Sequence, residues 1–243
     1  MYIVCSPQQQ IKSIIDLLDK QNISSYPLPL VDFHFDPGKF KYLNDNINNF
    51  DYVMLSSPSV IYAIQDIIKK SLNTKFITVG AKSALAIKNY TDNEIIYPNN
   101  ISGREELLVN ELPKINFNYK KVLIIKGENS IKDSYNSYVS TYPDWQIIDI
   151  YSRITLHTNE EDLKNLLKSD QVQGIIITTS SLVDDLFALA KRINCEKLIQ
   201  KKLFMTIHPK IAKKLYTFGV TRVLLTKTVN KEEIVHLIGG LHV

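Results

Sequence analysis

Small hydroxyl residues, lysines and one histidine follow the apolar runs of this sequence, and these side chains are the best placed for chemistry. Hydroxyl groups and the backbone N–H groups at helix starts donate hydrogen bonds to carboxylates, and lysines neutralise their charge. We predict that they bind a ligand with several carboxylates. In the first half of the chain they are Ser56, Ser57, Lys82, Ser83 and Ser102, with Gly103 directly after Ser102. In the second half they are Thr178, Thr179, Ser180, His208 and Lys210.

A purely structural role remains open for each of these residues taken singly. Ser and Thr are preferred at helix N-caps, and His208 can be a solvated loop residue. Tyr151 follows the apolar run 147–150, where a tyrosine usually packs against its neighbours. The number of such groups at one predicted edge favours ligand binding, and a capping residue can also bind a ligand.

Motifs for cofactors and metals are missing from the sequence. It contains no GxGxxG, P-loop, HExxH or nucleophile-elbow pattern, and its eight glycines are too few for a phosphate cradle. The five histidines never pair at a metal-ligand spacing. We therefore expect neither a cofactor nor a metal.

Composition narrows the class of protein. The net charge is +4 without a basic cluster, which argues against nucleic acid. No apolar run approaches the roughly 20 residues that span a bilayer, and the N-terminal residues do not resemble a secretory signal. Two cysteines, Cys5 and Cys195, indicate reduced thiols. We expect a cytoplasmic protein without a membrane partner.

The elements that position these residues alternate between strand and helix. Unbroken apolar runs are typical of parallel strands covered on both faces, and amphipathic helices separate them, one with a capping-box pattern at Thr158 and Glu161. The alternation predicts parallel α/β sheets. The predicted strands are 2–5, 25–30, 52–55, 76–79, 95–97, 122–126, 146–151, 174–178, 203–207 and 222–226.

An internal repeat divides these elements into two sets. Residues 51–60 align with 173–182, and residues 76–84 align with 204–212. Both copies contain a strand, hydroxyl residues, a helix, a second strand, a loop with Lys and a second helix. Any two βαβ units share some of this order, but the shared hydroxyl and Lys positions favour a duplication.

Four segments then resemble the uroporphyrinogen-III synthase family. Asp51–Val60 resembles the family's strand, Thr-Ser-Pro and helix, and Val79–Ala84 resembles its Val-Gly-x-x-Thr-Ala. Val122–Glu128 resembles its Leu-Ile-x-Arg-Gly-x strand and turn, and Ile150–Arg153 its Val-Tyr-x-x crossover. The order and spacing of these segments extend the resemblance over the whole chain.

The resemblance implies two flavodoxin-like, three-layer α/β lobes with parallel sheets and a cleft between them. Residues 1–33 and 153–243 would form a discontinuous lobe one, and residues 36–150 lobe two. Two extended linkers, near 33–36 and 150–153, would join them. Each lobe then receives five of the ten predicted strands.

The resemblance also implies an activity. The family converts hydroxymethylbilane into uroporphyrinogen III without a cofactor, with loss of water and inversion of the last pyrrole ring, in tetrapyrrole and haem biosynthesis. Its crossover tyrosine, the family's best candidate for protonating the leaving hydroxyl, corresponds to Tyr151. We expect a monomer that binds this small molecule and touches the preceding or following pathway enzyme only transiently.

Some positions depart from the family pattern. Ser6 and Lys126 stand where the family has Arg, and His208 and Ile211 replace its Gly and Thr. The resemblance implies that Lys126 is a further residue that binds substrate carboxylates. The main alternative function is a two-lobed anion-binding protein without catalytic activity, against which the missing signal segment counts. A flavodoxin-like phosphate-binding or regulatory module is disfavoured by the few glycines.

Overall fold

The chain divides into two compact units in a computed structural model that describes residues 1–98, 104–128, 135–227 and 231–241. Unit 1 is Met1–Phe33 with Ile154–Val243, and unit 2 is His34–Arg153. Each unit contains one β-sheet with helices on both faces, as described below. No helix among the described residues is long and apolar enough to cross a membrane.

Strands and helices alternate along most of the described chain. The strands are β1 Tyr2–Cys5, β2 Ser25–Pro27, β3 Val31–Phe35, β4 Tyr52–Leu55, β5 Lys75–Thr78, β6 Ile95–Ile96, β7 Val122–Gly127, β8 Trp145–Thr155, β9 Gly174–Ile177, β10 Leu203–Thr206 and β11 Val223–Leu225. The α-helices are α1 Gln8–Asp19, α2 Pro37–Asn46, α3 Pro58–Ala63, α4 Gln65–Ile68, α5 Ala81–Lys88, α6 Arg104–Glu106, α7 Asn136–Thr141, α8 Glu160–Lys168, α9 Ser180–Arg192, α10 Glu196–Gln200, α11 Pro209–Thr217 and α12 Lys231–Leu241. Short 3-10 turns at Ile47–Asn49 and Leu112–Lys114 and a π-turn at Leu107–Glu111 complete the helical segments.

Unit 1 contains a five-stranded sheet in the order β11-β10-β9-β1-β2. Its strand pairs are all parallel. On one face Ile3 and Phe204 pack with Leu186 of α9. On the other face Val4 packs with Ile14 of α1. Because helices cover both faces, the unbroken apolar strands are buried from both sides.

Unit 2 contains a six-stranded sheet in the order β3-β8-β7-β4-β5-β6. The pairs from β8 to β6 are parallel. On one face Ile125 packs with Val60 of α3 and Ile87 of α5. On the opposite face Ile124 packs with Leu107. This unit is therefore also a three-layer α/β structure.

Strand β3 lies antiparallel to β8. The Leu156 N–H donates to the Leu30 oxygen at 2.9 Å, and the Asp36 N–H donates to the Ile150 oxygen at 3.1 Å. Residue numbers rise along β3 while those of its partners fall along β8, so the two strands are antiparallel. The sequence predicted an extended linker here rather than a strand, so the sheets contain five and six strands instead of five and five.

The predicted fold class, α/β with parallel sheets, is confirmed. One predicted detail is wrong by a residue: the N-cap of α8 is Asn159 rather than Thr158. The Asn159 side chain accepts the Asp162 N–H at 3.3 Å. Asn is somewhat preferred over Thr at helix N-caps, and the Thr158–Glu161 spacing alone favoured the wrong neighbour.

Strand order shows which positions of the two sheets are equivalent. Both copies of the repeat give neighbouring strands, β4 beside β5 and β9 beside β10, and β7 flanks β4 as β1 flanks β9. Cys5 is opposite Ile177 as Ile125 is opposite Leu55. The following residues therefore occupy equivalent places in the two units: Ser6 and Lys126, Pro7 and Gly127, Thr178 and Ser56, Thr179 and Ser57.

Candidate functional site

The predicted site residues lie at the carboxyl edges of the two sheets. Parallel strands place their carboxyl ends at one edge, where open α/β sheets bind ligands. Ser102 and Gly103 lie outside the described residues. In unit 2 the remaining residues are Ser56 and Ser57 after β4, Lys82 and Ser83 in α5, Lys126 in β7 and Tyr151 in β8. In unit 1 they are Thr178 and Thr179 after β9, Ser180 in α9, His208 after β10 and Lys210 in α11.

A β-bulge in unit 2 sets the direction of the Tyr151 side chain. Lys126 pairs with Asp149, but the next residue, Gly127, pairs with Tyr151, so that Ile150 is the extra residue. Regular alternation would place Tyr151 on the same face as Asp149. Instead the bulge turns Tyr151 to the face where Ile150 is buried, as bulges commonly re-aim side chains.

The phenol ring of Tyr151 lies against the backbone of Gly127. A Cβ atom added at Gly127 would be 2.2 Å from Tyr151 Cζ and 2.6 Å from the phenol oxygen. The ring of Phe35 lies beside it, with a centroid distance of 5.4 Å. The ring is therefore held on two sides, and it is half-buried.

Ser57 joins Tyr151 to the start of α3. Its Oγ accepts the Val60 N–H at 3.4 Å as the N-cap of that helix. Its side chain is also hydrogen-bonded to Tyr151. Burial raises the pKa of the Tyr151 phenol, and the Ser57 hydrogen bond opposes part of that rise. The phenol consequently carries its proton throughout the neutral pH range.

Lys126 occupies the opposite face of the same strand end. Its ammonium group forms an ion pair with Asp149, and its residue is 8% exposed. The Asp149 backbone oxygen also accepts a hydrogen bond from Lys39 Nζ at 2.6 Å. The Lys126 charge is thus already compensated inside unit 2, which weakens its predicted role in holding ligand carboxylates.

The start of α5 presents a different kind of group. Gly80, the residue before the helix, has no side chain to cap the first N–H groups. Lys82 is exposed and Ser83 is buried in the first turn. An uncapped helix start with an adjacent ammonium group suits a carboxylate.

The edge of unit 1 contains neutral hydroxyl groups. Ser6 and Thr178 are both buried, and their hydroxyl oxygens are 3.0 Å apart in a hydrogen bond. Thr179 precedes α9 without capping it, and its Oγ1 has no hydrogen-bond partner among the described residues. The buried Thr206 hydroxyl, at the end of β10, also has no partner within the described part of the chain.

His208 supports the capping interpretation that the sequence left open. Its Nδ1 accepts the Lys210 N–H at 3.1 Å, as the N-cap of α11. Both side chains are exposed. A lone pair on Nδ1 is needed for this bond, so the imidazole is available to a ligand only through Nε2.

The one cysteine at these edges is not suited to nucleophilic chemistry. Cys5 ends β1 and is fully buried. Burial, with a smaller contribution from the Asp185 charge, raises the pKa of its thiol. Because the thiolate is the reactive form of cysteine, Tyr151 is the better candidate for proton transfer.

The described site offers hydroxyl, phenol, ammonium and N–H groups. Across the described ranges, no three His, Cys, Asp or Glu side chains are grouped as metal ligands. The groups present are hydrogen-bond donors or cations, and they fit an anionic ligand.

Sequence reasoning missed three contacts that shape this site. Asp149 compensates Lys126, Ser6 pairs with Thr178, and Gly127 makes room for Tyr151. The family resemblance marked the positions of Gly127, in the segment that resembles the Arg-Gly turn, and of Ser6, but not their contacts. The two pairings depend on strand register and could not be read from spacing.

Comparisons with known proteins identify relatives of the whole chain. A family model described as uroporphyrinogen-III synthase HemD matches residues 12–236. No curated protein sequence gives a significant match.

A crystal structure of a mutant uroporphyrinogen III synthase from the extremely thermophilic bacterium Thermus thermophilus is similar over 99% of this chain and 98% of its own, with 12% identity and a TM-score of 0.64. The uroporphyrinogen-III synthetase from Helicobacter pylori is similar over 99% of both chains, with 16% identity and a TM-score of 0.59. At these identities the two structures show the fold.

Proposed function

Since this chain belongs to the uroporphyrinogen-III synthase HemD family, we infer that it closes hydroxymethylbilane to uroporphyrinogen III. The enzyme is a cyclising lyase of tetrapyrrole biosynthesis: a hydroxyl leaves as water, the last pyrrole ring is inverted and the macrocycle closes. No observation favours the alternative of an anion-binding protein without catalytic activity.

Tyr151 is the residue we assign to proton transfer. The observation that carries this assignment is the half-buried phenol, seated on Gly127 and hydrogen-bonded to Ser57 at the carboxyl edge of unit 2. Its raised pKa keeps the proton on the oxygen at neutral pH, as a general acid requires. As the C–O bond breaks, the phenol proton moves to the leaving oxygen and water is formed.

Ser57 then stabilises the charge that remains on the phenol oxygen. Its side-chain hydrogen bond lowers the pKa of Tyr151, which means that it favours the ionised form. The ring that attacks loses a proton when the macrocycle closes, and return of a proton to Tyr151 restores the phenol. The enzyme therefore ends the reaction with the same number of protons as it had at the start.

The substrate carboxylates fit the remaining edge groups. In unit 2 we assign them to the start of α5 with Lys82 and Ser83. In unit 1 the hydroxyls of Thr179 and Ser180 and the exposed Lys210 have the required donor character. We expect smaller contributions to carboxylate binding from Thr178, His208 and Lys126, because each is already bonded within its own unit. Ser56 is a further candidate of the same kind.

We further propose a cytoplasmic monomer with at most transient contacts to neighbouring pathway enzymes. Both cysteines are buried free thiols, as expected in a reducing compartment. Light scattering during size-exclusion chromatography should give a mass near 27.9 kDa. A dimer mass at working concentrations would contradict the monomer.

The activity is tested by supplying hydroxymethylbilane to the purified chain and separating the oxidised product isomers. The expected product is type III, formed faster than the type I isomer appears without protein. A product mixture identical to the protein-free control would contradict the proposed function.

A further inference from the structure

Gly127 lies where any side chain would collide with Tyr151. An added Cβ would be 2.2 Å from Cζ, 2.3 Å from Cε2 and 2.6 Å from the phenol oxygen. All three contacts are with the reactive end of the ring rather than with its Cβ. The glycine thus gives the phenol the space in which its hydroxyl reaches Ser57.

The backbone of Gly127 does not itself require glycine. Among the described residues the one glycine in the left-handed region is Gly219, and Gly127 has a backbone conformation that L-residues adopt. An alanine there would fit the strand conformation. Its effect would therefore come from the space that its methyl group occupies.

The β-bulge makes this contact a specific one. Gly127 pairs with Tyr151 across β7 and β8 because Ile150 is the extra residue. With regular pairing the tyrosine would face the side of Lys126 and Asp149. Two features of neighbouring strands, a missing side chain and an added residue, thus act on the same phenol.

We propose that Gly127 is a positioning residue for the reaction, because the Tyr151 ring occupies the space that a side chain at position 127 would fill. This inference rests on the proposed role of Tyr151 as proton donor. In a Gly127→Ala variant the ring must rotate or β8 must shift, and either change moves the phenol oxygen away from Ser57. A displacement of roughly 1 Å at a reacting group can reduce a rate about 10²-fold.

A matched control is available in unit 1. Gly174 is buried in β9, and an added Cβ there would be 2.9 Å from the Leu203 backbone oxygen and 3.1 Å from Tyr2 Cε1. Gly174→Ala therefore also crowds a strand, but it crowds no residue assigned to proton transfer. It reports the effect of lost stability alone.

The test compares Gly127→Ala, Gly174→Ala and Tyr151→Phe with the unchanged chain. For each we measure the melting temperature, the rate and the ratio of type III to type I product. We expect Gly127→Ala to lose at least tenfold in rate and to shift the ratio toward type I, as Tyr151→Phe does. Gly174→Ala should lose melting temperature and keep the ratio. A normal product ratio in Gly127→Ala would overturn the proposal.

If Gly127→Ala folds poorly, the same substitution in the Tyr151→Ala variant still tests the proposal. Without the phenol ring, in Tyr151→Ala, the added methyl group has space. We expect Gly127→Ala, when it is added to Tyr151→Ala, to change the residual rate by less than twofold and to leave the melting temperature unchanged. An equal loss in both backgrounds would show that Gly127 acts through another contact, and would overturn the proposal.

A spectroscopic signal separates this inference from the function on which it rests. In protein labelled with ¹³C at tyrosine Cζ, the Tyr151 resonance is identified by its loss in Tyr151→Phe. We expect it to move in Gly127→Ala and to stay in place in Gly174→Ala. A resonance that does not move in Gly127→Ala contradicts the positioning role. A Tyr151→Phe variant with normal activity contradicts the catalytic role instead.

Discussion

The two units have the same strand order but different chemistry at equivalent positions. In unit 2 the end of β7 provides Lys126 and Gly127, and a bulge in β8 turns Tyr151 over the glycine. In unit 1 the equivalent places hold Ser6 and Pro7. At these positions unit 2 therefore has an acid and an ion pair, whereas unit 1 has the neutral hydroxyl pair Ser6 and Thr178.

The hydroxyl residues before the equivalent helices show the same contrast. Ser57 caps α3 and is hydrogen-bonded to Tyr151. Thr179, its equivalent, neither caps α9 nor has a hydrogen-bond partner for Oγ1 among the described residues. The two units thus differ at these positions, and we propose that proton transfer belongs to unit 2 while both units bind substrate carboxylates.

The largest effect should follow loss of the Tyr151 phenol. Tyr151→Phe keeps the ring and removes the oxygen, so packing against Phe35 is preserved. General acid catalysis contributes about 10²–10⁴-fold, and we expect a rate loss in that range by steady-state assay. Thr179→Val, the control at the other edge, should lose far less. Equal losses in the two variants would contradict the contrast between the units.

Loss of the ion pair should mainly affect stability. Lys126→Met keeps the length of the side chain but leaves the Asp149 carboxylate without its cation. We expect a loss of about 1–3 kcal/mol in the free energy of unfolding, toward the lower end because Asp149 reaches solvent. Lys12→Met, at an exposed position of α1, should change it by less than about 0.5 kcal/mol. Urea denaturation measures both, and an unchanged Lys126→Met would show that the pair contributes nothing.

The two hydroxyl residues before α3 and α9 should affect different kinetic constants. Ser57→Ala removes a bond to the proton donor, and a neutral hydrogen bond contributes about 0.5–1.5 kcal/mol, so kcat should fall by up to about tenfold. Thr179→Ala removes a group that we assign to substrate carboxylates, so KM should rise instead. Steady-state kinetics at several substrate concentrations separates the two effects. A fall in kcat for Thr179→Ala alone would reverse the assignment.

The smallest effect is the response of Tyr151 to pH. Its pKa is raised by burial, so the phenol should remain protonated up to its ordinary value of about 10 and ionise only above it. Ser57→Ala removes the hydrogen bond that lowers this pKa, and titration should then move to still higher pH. Tyrosine Cζ shifts followed by NMR measure both curves. Ionisation below the ordinary value in the unchanged chain would contradict the burial.

Most of the fold could be predicted from the sequence. The apolar runs at β4, β7 and β9 are buried on both faces, so hydrophobicity alone marks them. Strand β3 was missed because Asp32 and His34 interrupt its apolar pattern, and its pairing depends on the distant strand β8. Propensity and periodicity are local signals, and they carry no information on such a partner.

The candidate site was only partly predictable. The pattern of polar residues after the strands pointed to Ser57, and the family resemblance pointed to Tyr151. The packing of Tyr151 against Gly127 depends on a bulge that shifts the strand register by one residue. The alternation of apolar and polar residues in a sequence does not reveal such an added residue. The compensation of Lys126 by Asp149 depends on the same register.

The most direct test of the central claim is the isomer ratio that Tyr151→Phe produces from hydroxymethylbilane in a single mixture. If Tyr151 provides the proton, the enzymatic type III product falls and the spontaneous type I product rises, while the melting temperature stays near that of the unchanged chain. A variant that keeps the normal rate and ratio would reduce Tyr151 to a packing residue and contradict the assignment of proton transfer to unit 2.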